Sequence, residues 1–161
     1  MLDTSDIEFI SRLSVFAGLE SDVMALLGQL GARVDCDGGK VLFREGDPAK
    51  EMLIVVAGQL EVYKQSASGE EARIATLGPG DVAGEMSLID IQPRSAELRT
   101  LGPTSIVVFT HGDIADVYRE DPESYLLLVR NIAREISLRL RRLDATLATL
   151  ILETGDSRSD D

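Results

Sequence analysis

Histidine, cysteine and tryptophan are almost missing from this chain of 161 residues, which has one histidine, one cysteine and no tryptophan. The single cysteine, Cys36, excludes an internal disulfide and any iron–sulfur or zinc site built from several thiolates. The single histidine, His111, excludes a metal centre that needs two or three imidazole ligands. We therefore expect no metal and no cofactor, with Cys36 as a small buried side chain and His111 as a turn residue at the end of a strand.

Long apolar runs are absent as well. No stretch approaches the length of about 18 consecutive apolar residues that marks a membrane span. The N-terminal residues 1–13 lack the basic start and apolar block of a secretory signal. These absences favour a cytoplasmic protein with no membrane contact, and the length fits one domain with a substantial core.

Positively charged residues are fewer than negatively charged ones. The chain has 16 Lys and Arg against 28 Asp and Glu, a formal net charge of −12. Nucleic-acid binding needs a basic face that displaces counterions from phosphates, so we expect no direct contact with nucleic acid. A small anion can still bind in a local pocket, because surface fields are screened beyond roughly 8–10 Å at cellular salt.

Both ends of the chain have the apolar spacing of helices. In residues 5–31, Ser5 followed by Glu8 is typical of a capping box, and Gly31 is a typical helix end. Residues 112–152 show the same spacing, first in a short helix and then in a long one. Helices should therefore flank the middle of the chain.

The middle, residues 32–110, consists of short β-prone runs separated by turns rich in glycine. Two of these turns, at Gly58 and Gly69, lie between paired runs and predict hairpins. We count seven or eight strands. This spacing indicates a sandwich, a jelly roll or a small barrel rather than a parallel sheet, and hence a mainly β member of the α+β class.

The predicted C-terminal helix, residues 122–152, has a nearly heptad apolar pattern. Its members are Val129, Ile132, Ile136, Leu140, Leu143, Leu147 and Leu150. The 22 residues they cover reach about 33 Å, more than a small β domain needs to cover itself. The helix either lies on the β domain along one face or pairs with a second copy, and the pattern favours a homodimer. Residues 153–161 are polar and acidic and are predicted to be disordered.

The segment GEMSLIDIQPRSA, residues 84–96, combines a glycine, a carboxylate and a guanidinium. Gly84 before a helical turn lets the backbone approach a bound group, and the N–H groups of the turn favour an anion. Arg94 suits two oxygens of a phosphate, whereas Glu85 suits a hydroxyl donor. A ribose cyclic phosphate satisfies both. The alternative is an ordinary surface ion pair, worth at most about 1 kcal/mol.

The same segment resembles the phosphate-binding cassette of the cyclic nucleotide-binding domain family. The matching positions are Gly84, Glu85, Met86, Ser87, Leu88, Pro93, Arg94, Ser95 and Ala96. LSVFAGLESDVMALL, GGKVLFREGD and LIVVAGQLEVYK also resemble the early segments of the family, so the resemblance spans about residues 7–152. It implies an eight-stranded, jelly-roll-like β-roll flanked by N-terminal helices and a long C-terminal helix, as a single domain over residues 1–152.

The resemblance also implies roles for individual residues. Arg94 would hold the cyclic phosphate and Glu85 the ribose 2′-OH. The remaining candidate ligand-binding residues are Gly84, Met86, Ser87, Ser95 and Ala96. In the family a threonine after the arginine is associated with cGMP, so Ser95 leaves the base open, with cAMP favoured.

In the family, the long helix usually closes the base site with one residue. The candidates here are Arg134, Glu135, Leu138 and Arg139, and the sequence does not choose among them. They are equally compatible with a solvated helix face.

We expect the output to be a change of helix arrangement or of partner. Bacterial transcription factors with this sensor carry a winged helix-turn-helix after the long helix, whereas only about ten polar residues follow Ile151. The expectation is a stand-alone cyclic nucleotide sensor that is not an enzyme, with a homodimer or an effector protein as its partner. The alternative is a ligand-silent interaction module with the same fold. A metal-dependent jelly-roll enzyme lacks its histidines, and a redox or haem sensor lacks its cysteines or haem ligand.

Overall fold

Two antiparallel sheets form the middle of the chain and helices form both ends. The computed structural model describes residues 1–156. The helices are α1 (Thr4–Ser11), α2 (Ser21–Leu30), α3 (His111–Glu120) and α4 (Pro122–Asp156), with 3₁₀ turns at Ser14–Phe16 and Glu85–Leu88. The strands are β1 (Ala32–Cys36), β2 (Val41–Phe43), β3 (Glu51–Ala57), β4 (Leu60–Gln65), β5 (Glu71–Leu77), β6 (Val82–Ala83), β7 (Glu97–Thr100) and β8 (Thr104–Thr110).

The eight strands of the described chain divide equally between the two sheets, in the orders β1-β8-β3-β6 and β2-β7-β4-β5. All strand pairs are antiparallel. The predicted β-roll with flanking helices is therefore confirmed. The predicted hairpin at Gly69 is confirmed, since β4 and β5 are paired neighbours. The hairpin predicted at Gly58 was wrong, because Gly58 joins β3 to β4 and these two strands lie in different sheets.

Strand β3 shows why the core has two parts. Met52 and Ile54 pack in a cluster with the helices, whereas Leu53 and Val55 pack with the second sheet inside the roll. Alternate side chains of a strand point to opposite faces, so the unbroken apolar run MLIVV belongs to a sheet covered on both sides. Cys36 is buried in the inner cluster, as expected.

At the helix ends, the predicted capping box was wrong and the predicted end at Gly31 was confirmed. The N-cap of α1 is Asp3, whose carboxylate accepts from the backbone N–H of Asp6 at 2.9 Å. Ser5 instead donates its hydroxyl to Asp3, so the expected capping box with Glu8 does not form. Gly31 ends α2 in an extended conformation, and a Cβ there would lie 2.7 Å from the ring of Phe109. This glycine is needed for close packing rather than for a left-handed cap.

Helix α4 has 35 residues and a length of about 52 Å. Leu128 and Ile132 are fully buried against the core. Every described side chain from 137 to 153 is exposed, which places the second half of the helix beyond the body of the domain. Residues 153–156 were predicted to be disordered, but they continue α4 to Asp156. Extending an existing helix is easier than starting a new one. The rest of the predicted tail, 157–161, lies outside the described residues.

None of the helices within residues 1–156 is both long enough and apolar enough to cross a membrane.

Candidate functional site

Gly84 fixes the start of the cassette, residues 84–96. It follows β6 and has a φ of +77°, a left-handed conformation that glycine adopts without strain. A Cβ at this position would collide with Nη1 of Arg94 and lie 2.7 Å from the carbonyl oxygen of Glu51. The absence of a side chain therefore allows the guanidinium of Arg94 to lie directly against the turn that carries Glu85.

The backbone of Arg94 is held by the loop after β2. Its N–H donates to the carbonyl of Asp47 at 2.9 Å, and its carbonyl accepts from the N–H of Gly46 at 2.8 Å. The side chain is 4 % exposed and its guanidinium carbon lies 3.9 Å from the ring centroid of Phe43. These contacts fix the direction of the guanidinium before any ligand arrives.

The guanidinium of Arg94 is buried with most of its donors unused. Within the described residues, Nε and Nη1 have no hydrogen-bond partner, and Nη2 lies 4.0 Å from a carboxylate oxygen of Glu51. Burial lowers the pKa of Arg94, while Glu51, Asp47 and Glu85 act in the opposite direction. Buried donors are almost always paired in proteins, because leaving one unmade costs about 1–3 kcal/mol, and more for a charged group. Two free donors of a fixed cation are what an anionic ligand with two acceptor oxygens requires.

Glu85 is the carboxylate of the site and is 2 % exposed. Its Oε1 accepts from Nη1 of Arg139 at 2.8 Å, and Nη2 of Arg139 donates to the carbonyl of Val82 at 3.1 Å. The long helix α4 is therefore tied directly to the cassette. Among the described residues, Arg139 alone of the four candidates on α4 hydrogen-bonds to this region, whereas Arg134 and Leu138 are exposed and Glu135 is half-buried.

A second polar contact joins the cassette to α3. The hydroxyl of Ser87 donates to the carbonyl of Gly84 at 2.7 Å and lies 2.9 Å from Nε2 of His111. Because the single hydroxyl proton goes to Gly84, His111 donates through Nε2. Burial lowers the pKa of His111, the charge of Arg94 lowers it further, and Glu51 opposes both. The expectation of a turn residue was wrong, since His111 is the first residue of α3, after the helix cap Thr110.

The other predicted cassette residues lie around this centre. Met86 is 45 % exposed, and Ala96 is buried directly before β7. Ser95 is exposed, and its carbonyl accepts from Nζ of Lys64 at 2.5 Å. The structure brings Glu85, Ser87 and Arg94 together, while the ligand contacts of the whole set stay predictions.

Four residues near the cassette escaped sequence reasoning: Phe43, Glu51, Lys64 and His111. Each comes from a strand or helix that is distant in sequence and close only through the sheet topology. Phe43 and Lys64 had a signal, since they lie in the family-like segments GGKVLFREGD and LIVVAGQLEVYK. Among residues of the described chain, no group of three or more His, Cys, Asp and Glu is arranged to hold a metal ion.

Comparison with known proteins agrees with this geometry. The family model of the cyclic nucleotide-binding domain matches residues 33–121. The "CRP-like cAMP-activated global transcriptional regulator" of Mycobacterium tuberculosis is 30% identical over 144 residues, covering 89% of this chain and 62% of the regulator. The "Cyclic AMP receptor protein" of Thermus thermophilus is 32% identical over 120 residues, covering 74% of this chain and 54% of that protein.

Solved structures give the same result. The N-terminal domain of a transcriptional regulator from Streptomyces coelicolor has a TM-score of 0.71 and 31% identity, covering 86% of this chain and 94% of that domain. This chain thus spans less than two thirds of the length of the two regulators named above. It matches nearly the whole of the N-terminal domain from Streptomyces coelicolor. The matched family model and these relatives show that the chain belongs to the cyclic nucleotide-binding domain family.

Proposed function

We propose that this chain is a sensor that binds a cyclic nucleotide, with cAMP favoured over cGMP, and converts binding into a change at α4. The observation that carries this proposal is the buried guanidinium of Arg94, with Nε and Nη1 unpaired among the described residues, beside the turn that holds the buried carboxylate of Glu85. A cyclic phosphate supplies two oxygens and one negative charge, which matches the two free donors.

The ribose of the cyclic nucleotide would bind at Glu85. Its carboxylate accepts hydrogen bonds only, so it suits the ribose 2′-OH. Gly84, Ser87 and Ser95 would contribute backbone or hydroxyl contacts near the phosphate, and Met86 and Ala96 would pack around them. Arg134, Glu135, Leu138 and Arg139 remain the candidates for closing the base site, and the contact of Arg139 with Glu85 favours Arg139.

Two observations favour cAMP over cGMP as the ligand. Ser95 stands where threonine is associated with cGMP in the family. The two curated relatives named above are described as cAMP-activated and as a cyclic AMP receptor.

Ligand binding would move the 3₁₀ turn Glu85–Leu88 and, through it, α4. The turn touches α4 through the pair of Glu85 with Arg139. A cavity of about 370 Å³ lies beside Ser87 and Leu88, between the turn and the residues of α3 and α4. It gives the turn room to close. The ligand can shift this equilibrium only by its difference in affinity for the two arrangements.

The exposed half of α4 would carry the output, as a homodimer or as a surface for an effector protein. Leu140, Leu143 and Leu147 are between 57 % and 59 % exposed and lie three or four residues apart. A second copy of the same helix covers such a stripe in a coiled coil. The net charge of −12 opposes direct nucleic-acid binding, so we propose none for this surface. We also propose no catalytic activity.

Isothermal titration calorimetry with cAMP, cGMP and a cyclic dinucleotide tests the proposal. Wild-type protein should bind cAMP most tightly. Arg94→Ala should weaken binding about 100-fold or more, since it removes a buried charged partner of the phosphate. The matched control is Arg119→Ala, which removes an exposed arginine of α3 and should leave affinity unchanged. Absence of heat with all three nucleotides would instead favour the ligand-silent interaction module.

A further inference from the structure

Glu51, the first residue of β3, places a carboxylate beside the guanidinium that would hold the phosphate. Its Oε1 lies 4.0 Å from Nη2 of Arg94, and its side chain is 39 % exposed. Within residues 1–156 the side chain of Glu51 makes no hydrogen bond and no ion pair other than this one. A carboxylate has no proton to donate, so Glu51 repels an anion at Arg94 and cannot help to bind it.

The two other carboxylates whose charge acts on Arg94 have partners elsewhere. Asp47 accepts from a backbone N–H in its own loop at 2.8 Å, and Glu85 accepts from Arg139 at 2.8 Å. Glu51 is therefore the one of these three carboxylates whose charged partner is the guanidinium of Arg94 itself. A phosphate bound at Arg94 would lie close to this carboxylate and would compete with it for the same cation.

The charges around the phosphate position include no excess of cations. Within residues 1–156, the cations that lie in the cassette or hydrogen-bond to it are Arg94, Arg139 and Lys64, and the carboxylates that act on them are Glu45, Asp47, Glu51 and Glu85. The carboxylates thus outnumber the cations by one. His111 adds no positive charge at neutral pH, because burial and Arg94 lower its pKa. Arg94 can meet one negative charge of a ligand, and a second negative charge has no cation to meet.

Nucleotides carry phosphates of two charge classes. A cyclic phosphodiester has one negative charge, whereas a phosphate monoester has a charge of about −1.5 to −2 near pH 7. The repulsion between two charges is proportional to their product, so the free energy with which Glu51 opposes a monoester is up to about twice that for a diester. The carboxylate therefore acts most strongly against open-chain nucleotides such as 5′-AMP, which share the adenosine part of cAMP.

We propose that Glu51 is a specificity residue that makes the site selective for singly charged phosphodiesters and excludes nucleotides with a phosphate monoester. This inference rests on the proposed function, because it concerns the ligand that Arg94 would bind. Glu51 lowers the affinity for every anion and lowers it further for a dianion. Selectivity therefore comes with a weaker affinity for the cyclic nucleotide itself, and a variant without this charge should bind both classes more tightly.

Two open-chain ligands that differ by one charge isolate this effect: 5′-AMP and its phosphate monomethyl ester. Their dissociation constants are measured by competition calorimetry against cAMP at about pH 7.5, where the monoester is nearly fully ionised. Wild type should bind the methyl ester about 3-fold or more tightly than AMP. Glu51→Gln should bind cAMP and the methyl ester about 3- to 10-fold more tightly than wild type does, and AMP about 10- to 100-fold more tightly. The matched control is Glu8→Gln, which removes an exposed carboxylate of α1 and should change none of the three affinities.

The outcomes separate the two proposals. If Glu51→Gln changes the affinities for AMP and for its methyl ester by the same factor, Glu51 does not select by charge, and the sensor proposal stands. Selection by charge is also wrong if wild type binds AMP as tightly as the methyl ester, or if neither open-chain ligand competes with cAMP at millimolar concentration in either protein, because shape then excludes them. If cAMP gives no binding heat with wild type, the sensor proposal fails and the role of Glu51 fails with it. Should Glu51→Gln not fold, the preference of wild type for the methyl ester over AMP still decides.

Discussion

Nη1 of Arg139 donates to Oε1 of Glu85 across 2.8 Å and joins two residues 54 positions apart in the sequence. Glu85 belongs to a short turn of the cassette and Arg139 to a helix that continues beyond the domain. One hydrogen bond thus connects the place where a sugar hydroxyl would bind with the element that would contact a partner. This hydrogen bond gives a route by which binding in the cassette would reach the long helix.

Replacing Arg94 should stabilise the free protein while it abolishes binding. Arg94→Met keeps an apolar stem against Phe43 and removes a buried charge with two unpaired donors. We expect the free energy of unfolding to rise by about 1–2 kcal/mol, as when other buried charges are replaced by apolar side chains. Urea denaturation without nucleotide measures this change. Arg119→Met, at an exposed site, should stay within about 0.5 kcal/mol of wild type, and a clear loss of stability in Arg94→Met would contradict the prediction.

Gly84→Ala should harm both stability and binding. Its φ of +77° strains any side chain, and the new Cβ would collide with Arg94. Gly39 is the matched control, because its φ is +76° and a Cβ there would meet nothing within 4 Å. We expect Gly39→Ala to cost about 1–2 kcal/mol of unfolding free energy and to leave cAMP affinity intact. Gly84→Ala should lower the unfolding free energy by more than that and should lose most of the affinity for cAMP. Equal effects at the two glycines would show that the collision of the new Cβ with Arg94 is relieved easily.

The fold was predictable because its signals are local. Gly58 and Gly69 mark the turns between successive strands, and β3 carries the apolar run of a doubly covered strand. The sequence did not show that the turn at Gly58 leads from one sheet to the other. The failures are local too. At the N-terminus Asp3 and Ser5 are both residue types that cap helices, and the sequence alone did not decide between them.

The candidate site was predictable only where it is continuous in sequence. Glu85 and Arg94 belong to one segment, so spacing and residue type were enough to select them. His111 reaches Ser87 across 24 residues, and Phe43 reaches Arg94 from another strand. Those contacts depend on the order of strands in the two sheets, which no periodicity in the chain records. Arg139 was one of four candidates for closing the base site. A helical repeat shows which residues share a face of the helix, but it does not show which of them reaches the cassette.

Glu85→Gln should weaken cAMP binding about 10- to 100-fold, because a neutral amide accepts more weakly than a carboxylate from the ribose hydroxyl. The matched ligand is 2′-deoxy-cAMP, which lacks that hydroxyl. Wild type should bind it about 10-fold or more weakly than cAMP, whereas Glu85→Gln should distinguish the two ligands much less. Calorimetric titration of both proteins with both ligands measures the difference. If the loss of affinity caused by Glu85→Gln and the loss caused by removing the 2′-OH were fully additive, the hydroxyl would not contact Glu85.

His111 should make the stability of the free protein depend on pH. Its pKa is lowered by burial and then by Arg94, so the folded state holds its proton less tightly than the unfolded chain, whose pKa is 6.5. The stabilising contribution is therefore fully present above pH 6.5 and is lost as the pH falls through the folded pKa. The groups facing the ring are Arg94, Glu51 and the hydroxyl of Ser87.

A cyclic phosphate bound at Arg94 would offset the charge that lowers the pKa of His111. Binding should then take up a fraction of a proton below pH 6.5, so cAMP affinity should rise slightly as the pH falls below that value. Calorimetry in buffers with different enthalpies of ionisation detects the uptake. His111→Gln, which keeps a donor for Ser87 and does not titrate, should show neither the uptake nor the loss of stability below pH 6.5. Proton release on binding, or an unchanged uptake in His111→Gln, would place the phosphate too far from Arg94 to act on this histidine.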